Sequence, residues 1–168
     1  MQWIAISGSW RKTNQEIEAK VRQTVAEIIN NGNGIVTGGA LNVDYFATDE
    51  AMKCDSSFNK IKIVLPSSLE TYAKHYHKRA DEGVITKEQA ENLITQLAKI
   101  RNTNLDSIIE GKFEIIDRVA YFDRITKIIG TADKLIAFQV NNSEGVQDTI
   151  NKAKQKGIPI ELYSFTAE

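Results

Sequence analysis

A pair of glycines between a short apolar segment and a helix is the part of this sequence best suited to chemistry. Gly38 and Gly39 follow residues 35–37, and Ala40 and Asp44 lie where a helix is expected to begin. A turn without side chains lets a ligand approach the backbone. The first turn of a helix offers free N–H groups and the positive end of the helix dipole. The pattern predicts a site for a phosphate or another anion, and it does not say what happens to the ligand.

Two other loops have the same chemical character. In the first loop, Gly8 permits close approach, Ser9 can donate a hydrogen bond, and Arg11 can pair with a phosphate through two N–H groups. In the third loop, Ser143 and Gly145 precede the last predicted helix. A single glycine turn is weak evidence, because many loops need glycine for turn geometry alone. Three such loops at strand ends favour a binding site.

Two carboxylates are candidates for a reaction at these loops. Asp44 can hold a ribose hydroxyl or act as a general base, but an aspartate early in a helix is also stabilised by the dipole. Glu144 is the acid/base candidate of the third loop, although a turn carboxylate commonly just faces water. His75 and His77 diverge on a predicted helix, so we expect no metal site. We also expect no resident cofactor.

Basic and aromatic side chains leave several alternatives open. Residues 75–79 form the densest basic cluster, either a solvated helix face or a basic lip over the crevice. Arg118 and Arg124 diverge on one predicted helix, so at most one can face the crevice, and we favour Arg124. Trp10 can stack on a base or pack against the first helix.

The loops are connected by alternating strands and helices. Apolar runs predict strands at residues 3–6, 35–37, 60–65, 134–140 and 160–165. Helical spacing of apolar residues predicts helices at 13–31, 43–53 and 146–156. Strands separated by helices need right-handed crossovers, which give a parallel sheet covered on both faces. We therefore predict an α/β fold, a doubly wound, Rossmann-like parallel sheet of about five strands with the three loops at one edge.

The middle of the chain departs from this alternation. Helices are predicted at residues 69–79, 86–100 and 117–130 without a strand between them. We interpret residues 69–131 as a helical insertion beside the carboxyl edge of the sheet. The whole chain, residues 1–168, is then expected to form one domain.

Composition excludes several classes of protein. The net charge is −1, from 21 basic and 22 acidic residues, so nothing draws the whole molecule toward nucleic acid. Cys54 is the only cysteine, which excludes an internal disulfide and a cysteine-based zinc site. No apolar run approaches the ~18 residues of a membrane-spanning helix. Residues 1–6 lack the basic start of a signal peptide, so a cytoplasmic protein is expected; a homo-oligomer is possible.

Three segments carry a family resemblance. Residues 7–11, 38–44 and 132–145 resemble the SLOG superfamily, which gathers the DprA/Smf DNA-processing proteins, the Lonely guy cytokinin-activating enzymes and many small Rossmann-like proteins. The resemblance covers roughly residues 3–68 and 117–165 and leaves the middle unmatched. It implies a Rossmann-like fold and binding of a nucleotide or nucleotide-derived ligand at the glycine loops.

The sequence departs from these relatives at identifiable positions. Asn42 replaces a common glycine, and asparagine tolerates the left-handed region. Val146 replaces a threonine and so removes a phosphate-binding hydroxyl. An Arg-Asn pair of DprA-like relatives appears as Arg124–Ile125, so the resemblance carries over only the arginine. The Pro-Gly-Gly motif of the Lonely guy enzymes is absent, as are the usual dinucleotide and P-loop signatures.

Three functions follow in order of preference. The first is binding of a nucleotide or another phosphorylated small molecule at the glycine loops. The alternative is a hydrolase or transferase acting on the N-glycosidic bond of a nucleoside monophosphate, with Asp44 or Glu144 stabilising an oxocarbenium-like centre. Single-stranded DNA binding is weaker, because the net charge is slightly negative and the aromatic residues do not alternate with basic ones.

Overall fold

Strands and helices alternate through the computed structural model, which describes residues 1–168. The strands are β1 (Trp3–Gly8), β2 (Gly34–Thr37), β3 (Ile61–Val64), β4 (Ile108–Ile109), β5 (Lys134–Val140) and β6 (Ile160–Phe165). The helices are α1 (Gln15–Asn30), α2 (Val43–Cys54), α3 (Leu69–Asp81), α4 (Lys87–Thr103), α5 (Arg118–Thr131) and α6 (Glu144–Lys156). The α/β prediction is confirmed. No helix combines the length and the apolar character needed to cross a membrane.

All six strands are parallel and lie in the order β4-β3-β2-β1-β5-β6. The chain builds outward from β1 to β4 on one side, then returns and builds β5 and β6 on the other. The order therefore reverses between β1 and β5, and ligands of such sheets bind in the crevice at the carboxyl ends of the strands there. The prediction of a doubly wound, Rossmann-like parallel sheet is confirmed.

The sheet has six strands, one more than the predicted count of about five. The additional strand is β4, in which Ile108 and Ile109 pair with Ile63 and Val64. Two residues are too few to show the alternation that identifies a strand in a sequence. The segment predicted as a purely helical insertion thus also extends the sheet.

The two faces of the sheet are covered by different helices. Ile4 and Ile6 of β1 belong to an apolar core with α1, α2, α3 and α4, in which Val43 is fully buried. Ala5 points to the opposite face and belongs to a second core with α5 and α6, which includes Ile129. This follows from the two-residue period of a strand. Helices α2 and α6 therefore begin on opposite sides of the sheet, and β1 lies between the strands that lead into them.

The helices of the middle segment pack over the second loop. Gln96 of α4 donates to the carbonyl oxygen of Tyr45 in α2 at 3.1 Å. Tyr72 of α3 donates from its hydroxyl to the carbonyl oxygen of Gly39 at 2.9 Å. These contacts place α3 directly against the glycine turn.

Candidate functional site

The glycine turn after β2 is stabilised by the aspartate that follows it. The backbone N–H groups of Gly38 and Ala40 donate to Asp44 Oδ2 at 3.1 and 3.2 Å. The N–H of Gly39 donates to Thr37 Oγ1 at 3.3 Å. Asp44 is only 7% exposed. All three N–H groups of the turn thus have partners within the chain. A bound phosphate would therefore use donors outside this turn.

Glycine is required at position 39 of this turn and is tightly packed at position 38. Gly39 has φ +67°, and a Cβ added there would lie 2.9 Å from Ile63 Cγ2 and from Leu65 Cδ2. A Cβ at Gly38 would lie 3.0 Å from Cζ and Nε of Arg124 and 3.3 Å from Asp44 Oδ2. The guanidinium and the carboxylate therefore approach the backbone at Gly38 as closely as the missing side chain allows.

Arg124 reaches across the sheet edge from α5 to the turn. Its Nη1 donates to the carbonyl oxygen of Gly38 at 3.0 Å and to the hydroxyl of Tyr72 at 3.3 Å. Its Nε is buried and has no partner. Arg118 of the same helix is exposed. Burial raises the pKa of the Asp44 carboxyl, whereas the charge of Arg124 and the two backbone donors act in the opposite direction.

A cluster of tyrosines surrounds this arginine. The hydroxyls of Tyr72 and Tyr76 lie 3.2 Å apart, and the Tyr121 hydroxyl lies 3.1 Å from Nε2 of His75. Burial raises the pKa of Tyr72 to about 12, so its hydroxyl stays neutral at pH 7. Burial, followed by the charge of Arg79, lowers the pKa of His75. The cluster was not identified from the sequence, where the i,i+4 spacing of Tyr72 and Tyr76 was its only signal.

The N-termini of the helices divide into two groups. Four helices are capped by a side chain that accepts a hydrogen bond from the first turn, namely α1, α3, α4 and α5, with caps Asn14, Ser68, Thr86 and Asp117. In α2 and α6 the cap residues, Asn42 and Ser143, make no such bond. The helices that follow the second and third glycine loops therefore have no side-chain partner for the N–H groups of their first turns.

The first loop lies against the beginning of α2. A Cβ on Gly8 would lie 2.5 Å from Val43 Cβ, so only glycine permits this approach. Asn42 donates from its side chain to the carbonyl oxygen of Trp10. Its φ of +61° shows that asparagine adopts the conformation expected of the glycine it replaces. The structure thus brings the first two loops into direct contact.

The side chains of the first loop face in different directions. Ser9 is buried, and its Oγ accepts from the N–H groups of Arg11 and Lys12 at 3.3 and 3.4 Å. Its hydroxyl hydrogen remains available. Arg11 is exposed, forms no ion pair, and lies over the ring of Trp10 at 4.8 Å.

The third loop follows β5, the neighbour of β1, on the other side of the switch point. The Asn141 side chain pairs with the backbone of Ala167, and no hydrogen bond joins this loop to the other two. Gly145 and Glu144 are exposed, and Glu144 has no hydrogen-bonded or ionic partner. Val146 is buried against the sheet. The third loop lies at the edge of the crevice because it follows β5, and no hydrogen bond connects it to the first two loops.

Solved structures with this fold are similar at low sequence identity. DNA processing protein A from Helicobacter pylori, studied for its single-stranded DNA binding mode, superposes with a TM-score of 0.71 and 21% identity over 96% of this chain. The match spans 64% of that protein, less than two thirds of its length. The molybdenum cofactor binding protein from Rippkaea orientalis gives a TM-score of 0.62 and 16% identity over 97% of this chain and 76% of its own.

The molybdenum cofactor carrier protein from Chlamydomonas reinhardtii gives a TM-score of 0.52 and 14% identity over 96% of this chain and 76% of its own. No protein-family model matches the sequence, and no curated protein sequence matches it significantly. All three neighbours are at or below 21% identity and show the fold alone, so the Rossmann-like fold that the sequence resemblance implies is confirmed.

Proposed function

We propose that this protein binds a nucleotide or another phosphorylated ligand at the carboxyl edge of its sheet, in the crevice beside the end of β1. One observation supports this most strongly. Side chains cap four of the six helices, and the two without such a cap, α2 and α6, follow the two strands that flank β1, with Gly38 and Gly39 before α2 and Gly145 in the first turn of α6. Uncapped first turns with small neighbours are suited to a phosphate.

Arg11 adds a positive charge to this position. It extends from the loop that touches the start of α2, and no acidic side chain neutralises it. Arg124 has a different role, because its Nη1 is bonded to the turn itself. Arg11 is therefore the side chain proposed to contact the ligand, and Arg124 the one that shapes the turn.

The two catalytic candidates do not favour the glycosidic alternative. Asp44 Oδ2 is occupied by two backbone donors, and Glu144 lies exposed in the first turn of α6, which is not tied to the first two loops. Binding without a reaction therefore fits the observed contacts better. Neighbours of this fold that bind single-stranded DNA or a molybdenum cofactor give additional support for a ligand-binding role.

Calorimetric titration with nucleoside monophosphates tests the proposal. We expect the wild-type protein to bind at least one of them, and Arg11→Ala to bind it about tenfold more weakly, since a charged hydrogen bond contributes roughly 1.5–3 kcal/mol. The neighbouring exposed Lys12 forms no ion pair, so Lys12→Ala is the matched control and should bind like the wild type. Absence of binding at millimolar ligand, or equal losses in both variants, would contradict the proposal.

A further inference from the structure

A cavity of about 410 Å³ opens beside the first glycine loop. Its lining comes from three segments of the chain and consists of Trp10, Arg11, Leu41, Val84, Ile85 and Gln89. The last three belong to the connection between α3 and α4 and to the first turn of α4. Half of the lining is thus supplied by the middle segment, which the sequence resemblance leaves unmatched. The volume lies within the ~300–1,000 Å³ typical of small-molecule pockets.

The walls of the cavity suit a flat, apolar-faced ligand group. Trp10 is 38% exposed and Val84 is 51% exposed, both high for large apolar side chains. Leu41 is buried behind the loop, and Ile85 is half-buried. The guanidinium of Arg11 lies over the Trp10 ring at 4.8 Å, too close for a planar group to enter between them, so a bound ring would stack on the exposed part of Trp10 with the cation beside it. This combination stacks nucleobases in proteins that bind them.

Gln89 provides a single free donor in this wall. Its Oε1 accepts from the N–H of Thr86 at 2.9 Å, and its own N–H donates to Thr86 Oγ1 at 3.0 Å. This capping box engages the oxygen of the Gln89 side-chain amide and leaves the amide nitrogen free. Nε2 has no protein partner, so it can donate to an acceptor atom on a bound ring.

We infer that this cavity binds the heteroaromatic ring of the ligand, a nucleobase stacked on Trp10 with a ring acceptor hydrogen-bonded to Gln89 Nε2. The inference rests on the proposed function, because Arg11 belongs to both the ring cavity and the phosphate site. It assigns the α3–α4 connection to recognition of the ring. The ring can belong to a free mononucleotide or to a base of a single strand, and the two sources share this chemistry.

Tryptophan fluorescence can report on the ring directly. The chain has two tryptophans, and Trp3 does not line the cavity. In a Trp3→Phe protein the emission comes from Trp10 alone. Adenosine and guanosine monophosphates should quench it saturably, whereas ribose 5-phosphate should leave it unchanged. Calorimetry should show ribose 5-phosphate binding at least about fivefold more weakly, since a stacked base contributes roughly 1–3 kcal/mol.

A second variant tests the role of Gln89. Gln89→Glu keeps an oxygen for the capping box and removes the donor, so the helix should stay capped. The added negative charge lies in the same cavity as Arg11 and should weaken binding of ribose 5-phosphate slightly, whereas loss of the donor should weaken binding of the nucleotides severalfold more. An equal effect on both, or no effect on either, would overturn the hydrogen bond to the ring.

The outcomes separate this inference from the proposed function. Equal binding of nucleotide and ribose 5-phosphate with no change at Trp10 would overturn the ring site and leave the phosphate site standing. Quenching by adenosine as strong as that by its monophosphate would support the ring site and count against the phosphate site. No binding of any probe would overturn both. A short oligodeoxyadenylate that binds more tightly than the mononucleotide would identify a single strand as the source of the ring, and the reverse order a free nucleotide.

Discussion

Replacing Asp44 with alanine is expected to lower the free energy of unfolding by about 3–5 kcal/mol, because one buried and one partly buried backbone donor lose their acceptor together. Those donors are the N–H groups of Gly38 and Ala40, both bonded to the same carboxylate oxygen. The variant would also leave the guanidinium of Arg124 without the negative charge on the other side of Gly38. The turn and the start of α2 should loosen as one unit.

Urea denaturation of three variants measures this effect. Asp44→Asn keeps a carbonyl oxygen that can accept the same bonds, so it should lose only about 1–2 kcal/mol. Asp49 lies in α2 like Asp44, and Asp49→Ala removes its ion pairs with Arg22 of α1 and with Lys53; partly exposed pairs of this kind contribute about 1 kcal/mol or less each. If Asp44→Ala were no more destabilising than Asp49→Ala, the carboxylate would not be what holds the turn.

Substituting alanine for Gly39 is expected to lower the free energy of unfolding by about 2–5 kcal/mol. Two costs combine at this position. A residue with a side chain is strained at φ +67° by roughly 1–2 kcal/mol, and the new methyl group would press on Ile63 and Leu65 at 2.9 Å, which adds about 1–3 kcal/mol.

Gly157 provides the matched control for this substitution. It has φ +82°, but a Cβ added there meets no atom within 4 Å. Gly157→Ala should therefore show the backbone cost alone, about 1–2 kcal/mol. Equal losses from the two substitutions, measured by thermal or urea unfolding, would mean that the glycine turn is not packed against β3 as described.

The fold could be predicted largely because its elements carry long apolar patterns. Helix α1 shows its buried face over 16 residues, and β5 has seven residues that include four consecutive buried apolar ones. Strand β4 consists of Ile108 and Ile109 alone, so its place in the sheet depends on pairing with β3 and not on a local pattern. The residues on either side of β4 indicate only that the helical pattern is interrupted there.

The candidate site could be predicted less completely, since its bonds join distant parts of the chain. The sequence identified Gly38, Gly39 and Asp44 as candidates. It did not show that the Asp44 carboxylate accepts hydrogen bonds from the backbone of the turn, because this depends on the direction in which one side chain points. Tyr72 contacts the turn across 33 residues, and Arg124 does so across 86. Such contacts leave no periodic signal. The role of Arg124 in holding the turn became visible only through its bond to Gly38.

The most direct test of phosphate binding at the uncapped helices is an amide-resolved NMR titration of the ¹⁵N-labelled protein with adenosine monophosphate. Phosphate binding there predicts the largest shift changes at the first turns of α2 and α6 and at residues 9–11, with the capped N-termini of α1, α3 and α5 unaffected. The capped N-terminus of α4 holds Gln89 and is expected to respond to the base. A second cavity of about 430 Å³ lies between α1 and β6, where Lys20 and Tyr163 are among the lining residues. Shift changes centred on that cavity, or on the N-termini of α1, α3 and α5, would contradict phosphate binding at the uncapped helices.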